Sequence, residues 1–131
     1  MEWARLDLPN TEIVVLHGRT GPDEIPDMLV AADCLLITSR REGSPCILQE
    51  ALACHTPVVS VDVGDAPERL AGVKNTIIAA PRAESLAAAL VQLIRRPLRC
   101  FANVDHLSFD YLAKRLETLY EEICEHPTSL C

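Results

Sequence analysis

The chain has 131 residues, and its 12 Lys and Arg against 19 Asp and Glu give it a formal net charge of −7. Apolar residues make up 49% and charged residues 24%, a composition typical of one globular domain and not of a disordered chain. No apolar run is close to the length of about 20 residues that spans a bilayer, and the N-terminus lacks the apolar core of a secretory signal. We therefore expect a cytoplasmic protein. The acidic balance argues against nucleic-acid binding.

The first third of the chain predicts two strands around one helix. Ile13–His17 is a short β-branched run ended by Gly18, which indicates a buried strand. Apolar residues then recur at helical spacing from Ile25 to Ala32, with Pro26 tolerated only in a first turn. A second strand is predicted over Cys34–Thr38.

The middle of the chain predicts a helix between loops, followed by two more strands. A polar loop over Ser39–Ser44 leads into a helix over Pro45–Cys54. The apolar run Pro57–Val63 predicts a strand covered on both faces. Gly64–Leu70 predicts a loop with one helical turn at most, and Thr76–Ala79 a further strand.

The last part predicts two helices. Leu86, Leu90, Leu93 and Ile94 mark a helix stopped by Pro97. Ser108 can cap a final helix in which seven apolar residues repeat at i, i+3, i+4 intervals, which predicts one packed face: Phe109, Leu112, Ala113, Leu116, Leu119, Tyr120 and Ile123. Strands that alternate with helices indicate an α/β domain with a parallel sheet, which binds ligands beyond the carboxyl ends of its strands.

The six cysteines stand at positions 34, 46, 54, 100, 124 and 131. They form no Cys-x-x-Cys pair, and no His stands at zinc-finger spacing. Without a secretory signal the expected compartment is reducing, which disfavours a disulfide framework. We therefore predict buried or idle thiols, and Cys34, inside an apolar strand, fits this best.

One segment carries a candidate for chemistry: two carboxylates, Glu42 and Glu50, bracket Gly43 and Pro45 at the start of a helix. The first turn of a helix offers unpaired N–H groups and a partial positive charge, which suit a diphosphate. Gly43 would let a ligand approach the backbone. Glu42 could then reach the group beyond the phosphates, and Glu50 could bind ribose hydroxyls. The alternative is a solvated loop Glu and an exposed helix Glu.

The wider sequence EGSPCILQEALACHTPVVSVDVGDAPE resembles the donor-binding core of GT-B glycosyltransferases of the large retaining family 4, also called group 1. The matching motifs are Glu42-Gly43-Ser44-Pro45, Glu50-Ala51-Leu52-Ala53, Pro57-Val58-Val59, and Gly64 with Glu68 four residues on. The resemblance runs from about residue 10 to the final helix. It implies the Rossmann-like C-terminal half of a GT-B enzyme, here truncated.

The resemblance also implies the ligand and the role of each site residue. The ligand would be a nucleotide diphosphate sugar, transferred with retention of configuration, without a cofactor and without an essential metal. Glu42, as the catalytic residue, would contact donor-sugar hydroxyls, and Glu50 the ribose. Backbone amides of the segment Ser44-Pro45-Cys46-Ile47, after Gly43, would hold the sugar and diphosphate. Gly18 and Arg19 would lie near the base.

Several departures from the family pattern bear on activity. Measured against the family, we expect the acceptor-binding N-terminal domain and the first two strands of the C-terminal half to be missing. In the family, the loop after the first of these strands carries an Arg and a Lys for the diphosphate. Arg40 and Arg41 either substitute in part or form a solvated loop pair. His55 stands at a usual Gly position that often needs a positive φ. Asp65 replaces a second Gly, and we expect it to point away from the diphosphate.

The missing strands leave a gap in the sheet. In the family order 3-2-1-4-5-6 this chain supplies strands 3, 4, 5 and 6. We predict that Ile13–His17 pairs directly with Cys34–Thr38, or that a partner chain fills the gap, because an apolar central strand is hazardous as a bare edge. An unpaired and exposed first strand would contradict both.

We therefore predict a single, partial nucleotide-sugar-binding domain over residues 1–131, with an amphipathic C-terminal helix over 108–126. Its function would be donor binding for retaining glycosyl transfer, inactive without the acceptor domain. The alternative is a non-catalytic nucleotide-sugar-binding or subunit-interaction remnant. Expected partners are the nucleotide sugar and either a missing acceptor-domain chain or a second copy, with no nucleic acid. A receiver-type domain is disfavoured, because Leu16-His17-Gly18 offers no acidic cluster.

Overall fold

The computed structural model describes residues 11–16, 20–95 and 98–125, in which strands and helices alternate as predicted. The elements in chain order are α1 (Ile25–Ala31), β1 (Leu35–Ile37), α2 (Cys46–Ala53), β2 (Val58–Val61), α3 (Ala66–Leu70), β3 (Thr76–Ala79), α4 (Ala83–Ile94), a 3₁₀ turn (Asp105–Leu107) and α5 (Phe109–Glu125). Pro26 lies in the first turn of α1, where its missing N–H costs no hydrogen bond.

The three strands form one parallel sheet in the order β1-β2-β3. Leu35 is paired with Val58 at one interface, and Val58 with Thr76 at the other. All four residues of the central strand β2 are buried, as the apolar run at Pro57–Val63 predicted. The prediction of a Rossmann-like α/β fold with a parallel sheet flanked by helices is confirmed.

Apolar side chains cover both faces of the sheet. The larger core joins α1, α2 and α3 to the sheet and includes the fully buried Leu48, Val58 and Cys100. The smaller core packs Ala89, Leu90 and Leu93 of α4 against Val59. This three-layer packing holds β2 in the centre and brings the carboxyl ends of β1 and β2 to one edge.

Polar contacts, two of them buried, hold the opposite edge of the sheet together. The Thr56 hydroxyl donates to the Leu29 carbonyl at 2.7 Å, and the Cys100 thiol to the Thr56 carbonyl at 3.0 Å. The Arg99 guanidinium caps the C-terminal end of α1 by donating to the carbonyls of Val30 and Ala32. His55, in the turn between α2 and β2, has a φ of 59°, so this turn keeps the positive φ that the position often needs and does not take another shape.

The predicted first strand, Ile13–His17, is not formed over residues 13–16, the part that the structure describes. Ile13, Val14 and Val15 are 60–62% exposed, and β1 is hydrogen-bonded to β2 alone among the described strands. The predicted direct pairing with Cys34–Thr38 is therefore wrong. The alternative, that a partner chain fills the gap in the sheet, is wrong by the same criterion, because an unpaired and exposed first segment contradicts both. A β-branched run becomes a strand only where it has a hydrogen-bonding partner.

The predicted packed face of the last helix is also wrong. Ser108 caps the helix as expected, its hydroxyl accepting from the Tyr111 N–H at 3.2 Å. No residue of α5 is buried against any described part of the chain, and Phe109 is 90% exposed. The apolar periodicity defines one face of α5 correctly, but no described residue covers that face.

No helix in the described ranges has the length and apolar character needed to cross a membrane.

Candidate functional site

Two loops lie side by side at the carboxyl edge of the sheet. The loop from Thr38 to Pro45 follows β1 and leads into α2, and the loop from Asp62 to Asp65 follows β2 and leads into α3. Because β1 and β2 are parallel neighbours, their carboxyl ends bring these loops together. This edge is where the sequence predicted the ligand site.

Gly64 holds the two loops in contact. Its φ is +54°, and a Cβ atom at this position would lie 2.3 Å from the Gly43 carbonyl oxygen and 3.1 Å from that of Glu42. The neighbouring Asp65 N–H donates to the same Gly43 carbonyl at 3.1 Å. Only glycine combines this backbone conformation with so close an approach, so Gly64 fixes the position of the Glu42–Pro45 segment.

A hydrogen-bond network converges on the Ser44 hydroxyl. That hydroxyl donates to Oδ2 of Asp65 at 2.8 Å and accepts from Nε2 of Gln49 at 2.9 Å. The Arg69 guanidinium forms an ion pair with the same Asp65 oxygen. The expectation that Asp65 points away from the candidate diphosphate segment is therefore wrong, since its carboxylate faces Ser44.

Sequence reasoning did not find Gln49 or Arg69 in this network. The i,i+4 spacing of Asp65 and Arg69 was the available signal for their pairing, because residues so spaced are neighbours on a helix surface. The contact from Gln49 back to Ser44 spans the beginning of α2, and the contact from Ser44 to Asp65 joins residues 21 positions apart. The network therefore joins the β1 loop, α2 and α3.

The Asp65 carboxylate is kept ionised by its neighbours. Burial raises the pKa of this carboxyl, but the hydrogen bonds from Ser44 and Arg69 and the Arg69 charge outweigh it, so the pKa lies below its ordinary value. Its second oxygen, Oδ1, is buried and has no hydrogen-bond partner among the described residues. The chain thus places an anion of its own beside Ser44.

The N-terminal end of α2 can receive an anion. Pro45 is the N-cap residue, and no side chain of the described residues caps the helix. The Leu48 N–H donates to the Pro45 carbonyl at 3.0 Å, so the N–H groups of Cys46 and Ile47 are the ones that remain available in the first turn. Pro45 is buried and Ile47 half-buried, whereas Gly43, Ser44 and Cys46 are exposed. The α2 dipole adds a partial positive charge at this end. Three residues of the segment predicted to hold the sugar and diphosphate, Gly43, Ser44 and Cys46, are therefore accessible.

Glu42 and Glu50 frame this helix terminus on the loop side and the helix side. Both are exposed, Glu42 in the β1 loop and Glu50 in the second turn of α2. Gly18 and Arg19, predicted to lie near the base, fall outside the described residues. Within the described ranges, no three His, Cys, Asp or Glu side chains cluster as a metal site would require.

A shallow depression lies at the other edge of the sheet, where the chain enters β3. It is lined by Gly72, Lys74, Asn75, Leu98, Arg99 and Phe101. Its Arg99 guanidinium is engaged with backbone carbonyls of α1, and Asn75 donates to the Arg99 carbonyl. None of these lining residues belongs to the candidate site.

The fold and the position of the loops are those of a Rossmann-like α/β domain. Residues 2–96 match the family model described as "Glycosyl transferases group 1". That match covers well over half of the chain. The chain belongs to the group 1 glycosyltransferases, and the family predicted from the Glu42–Glu68 motifs is confirmed.

Two curated relatives are named as glycosyltransferases. The chain is 31% identical over 78 residues to TuaC of Bacillus subtilis (strain 168), which is named as a teichuronic acid biosynthesis glycosyltransferase; the match covers 60% of this chain and 20% of that protein. It is 32% identical over 108 residues to a D-inositol 3-phosphate glycosyltransferase of Rhodococcus opacus (strain B4), covering 76% of this chain and 24% of that protein. The chain spans about a fifth to a quarter of these relatives.

Proposed function

We propose that this chain is the donor-binding part of a retaining glycosyltransferase and takes a nucleotide diphosphate sugar. The observation that carries the proposal is the Glu42–Pro45 segment, which Gly64 fixes at the carboxyl edge of the sheet and which leads into the uncapped N-terminus of α2. A helix N-terminus at this edge is suited to a diphosphate. The family membership of the chain supports a sugar donor as the ligand.

The proposed roles follow the two sides of the helix terminus. Glu42, on the loop side, contacts hydroxyls of the donor sugar and is the catalytic residue. Glu50, on α2, accepts hydrogen bonds from the ribose, while N–H groups between Ser44 and Ile47 hold the diphosphate. Gly18 and Arg19 are proposed to lie near the base. Sugar transfer leaves charge on the diphosphate, and the fixed α2 dipole and amides would stabilise that charge.

The same geometry explains why the chain alone should bind weakly. The Asp65 carboxylate already accepts from the Ser44 hydroxyl, and its charge lies beside the proposed diphosphate position. Arg40 and Arg41 are exposed and form no ion pair with described residues. The chain spans a fifth to a quarter of its relatives, and we propose that the acceptor site belongs to the remainder of such an enzyme. We expect no turnover by this chain alone.

Calorimetric titration with uridine and guanosine diphosphates tests the donor assignment. We expect weak binding, with a Kd well above the micromolar range, and we expect Glu50→Ala to weaken it about tenfold through loss of a charged hydrogen bond to ribose. Glu117→Ala on α5 is the matched control, since it removes an exposed helix Glu outside the site. An unchanged affinity in the Glu50 variant would contradict the ribose assignment. Submicromolar binding would contradict the view that the missing loop with its Arg and Lys matters for holding the diphosphate.

A second candidate function is a nucleotide-sugar-binding or subunit-interaction remnant without catalysis. The exposed apolar face of α5 favours it, because such a face suits association with another protein. Transfer activity in a longer polypeptide that carries this chain, abolished by Glu42→Gln, would favour the enzyme. Nucleotide binding without such activity would favour the remnant.

A further inference from the structure

The apolar face of α5 has the spacing of a coiled-coil seam. Five of its apolar residues follow one another at intervals of three, four, three and four positions: Phe109, Leu112, Leu116, Leu119 and Ile123. Intervals that alternate in this way occupy the a and d positions of a heptad repeat, a narrower stripe than the face of a helix that packs on a sheet. The helix has 17 residues and is therefore about 25 Å long.

This seam is accessible along its whole length. Its exposed fractions run from 90% at Phe109 through 52% at Leu116 to 38% at Ile123. No residue of α5 is buried by the parts of the chain that the structure describes. An uncovered apolar stripe of this length is unfavourable in water, so a partner helix would gain free energy by covering it.

The charges beside the seam favour a second copy in the antiparallel direction. With Phe109 at an a position, Arg115 and Glu122 are the two charged residues at g positions. In an antiparallel pair the g positions of the two helices face each other, so Arg115 of each copy lies beside Glu122 of the other. In a parallel pair g faces e, and Arg115 would meet Tyr120 without an ionic partner.

The distribution of charge along α5 also favours the antiparallel direction for the helix pair. Lys114 and Arg115 lie in its first half, while the second half carries Glu121, Glu122 and Glu125. Antiparallel alignment places the acidic half of one helix against the basic stretch of the other, whereas parallel alignment places two acidic halves together. The acidic polar face also disfavours an anionic lipid surface as the occupant.

We propose that a second copy of this chain covers the seam, as an antiparallel pair of α5 helices. About the two-fold axis Leu116 packs against Leu119 of the second copy, and Leu112 against Ile123. Two Arg115–Glu122 ion pairs flank these layers. The pair is isologous, because each helix presents the same face to the other.

Sedimentation equilibrium of the whole 131-residue chain tests the proposal, with a reducing agent present because Cys46 and Cys124 are exposed. We expect a concentration-dependent rise from 14.4 kDa to twice that mass. Leu116→Glu places a charge in the central layer and should raise the dimer Kd at least about tenfold. Thr118→Glu is the matched control, since Thr118 lies at a c position away from the seam, and it should leave the Kd unchanged.

A charge exchange tests the direction of the pair. Arg115→Glu or Glu122→Arg alone should raise the Kd about tenfold, and the double exchange should restore it, because each pairing is re-formed with reversed sign. Circular dichroism checks that each variant is folded. A chain that is monomeric at every concentration, a Leu116→Glu variant that still dimerises, or a double exchange without recovery would overturn the proposal.

Discussion

At the scale of single residues, Gly64 positions the candidate site through two separate requirements. Its φ of +54° disfavours any side chain, and its Cα lies so close to Gly43 that a Cβ would meet the carbonyl oxygen at 2.3 Å. We expect Gly64→Ala to lower the free energy of unfolding by about 3 kcal/mol, since the clash adds to the cost of the backbone conformation. Urea denaturation followed by circular dichroism measures this change.

Gly72→Ala separates the two requirements. Gly72 has a φ of +75°, but no atom lies within 4 Å of the position its Cβ would take. Its substitution should therefore cost only the backbone term, about 1 kcal/mol. Equal costs at Gly64 and Gly72 would show that the contact with Gly43 does not constrain the loop.

At the scale of elements, Asp65 links α3 to the loop that follows β1. Hydrogen bonds from Ser44 and Arg69 lower the pKa of its carboxyl in the folded chain, despite the opposing effect of burial. A lowered folded-state pKa contributes stability that is present above the unfolded-state pKa of about 4 and is lost as the pH falls through the folded-state value. Asp65→Asn should cost about 1 kcal/mol at pH 7, and this cost should shrink below pH 4.

The comparison is made by urea denaturation of both proteins at pH 7, 5 and 3. Asp62→Asn is the matched control, because Asp62 is an exposed carboxylate in the same loop and makes no hydrogen bond to a described residue. A cost for Asp65→Asn that stays the same from pH 7 to pH 3 would mean that the Ser44–Arg69 network does not depend on the carboxylate charge.

Local sequence patterns predicted most helices and strands, because the spacing of apolar residues within a segment decides which element it forms. Thr76–Ala79 was predicted with its observed bounds, and the β-branched run of β2 with bounds wider than the strand itself. The similar run at Ile13–Leu16 failed, since a strand also needs a partner and sequence alone does not supply one. The α5 periodicity gave the correct face but not what covers it, because periodicity reports a surface and not its contacts.

The candidate site was predicted in part for the same reason. The position of Glu42, Gly43 and Pro45 before a helix is a local feature, and the structure has them there. The contacts of Gly64 with Gly43 and of Asp65 with Ser44 join segments about 20 residues apart. Such contacts depend on the parallel register of β1 and β2, which no local pattern reports.

At the scale of the whole molecule, the two cores divide the thiols into protected and accessible groups. Five cysteines fall in the described ranges, all of them free, with Cys100 fully buried in the larger core. Burial raises the pKa of the Cys34 thiol to about 12 and also raises that of Cys100. Cys46 at the start of α2 and Cys124 on α5 are exposed.

Because the thiolate is the reactive form, alkylation should follow this division. With iodoacetamide at pH 8, we expect Cys46 and Cys124 to be modified at least about a hundredfold faster than Cys34 and Cys100, whose labelling requires opening of the sheet and its helices. Peptide mass spectrometry over a time course measures the alkylation rate of each cysteine. A urea-unfolded sample gives the alkylation rates of the same thiols when no core protects them. Cys100 reacting in the folded protein as fast as Cys124 would mean that the larger core does not close over β2, and the sheet edge that positions Gly64 and Ser44 would then lack its support.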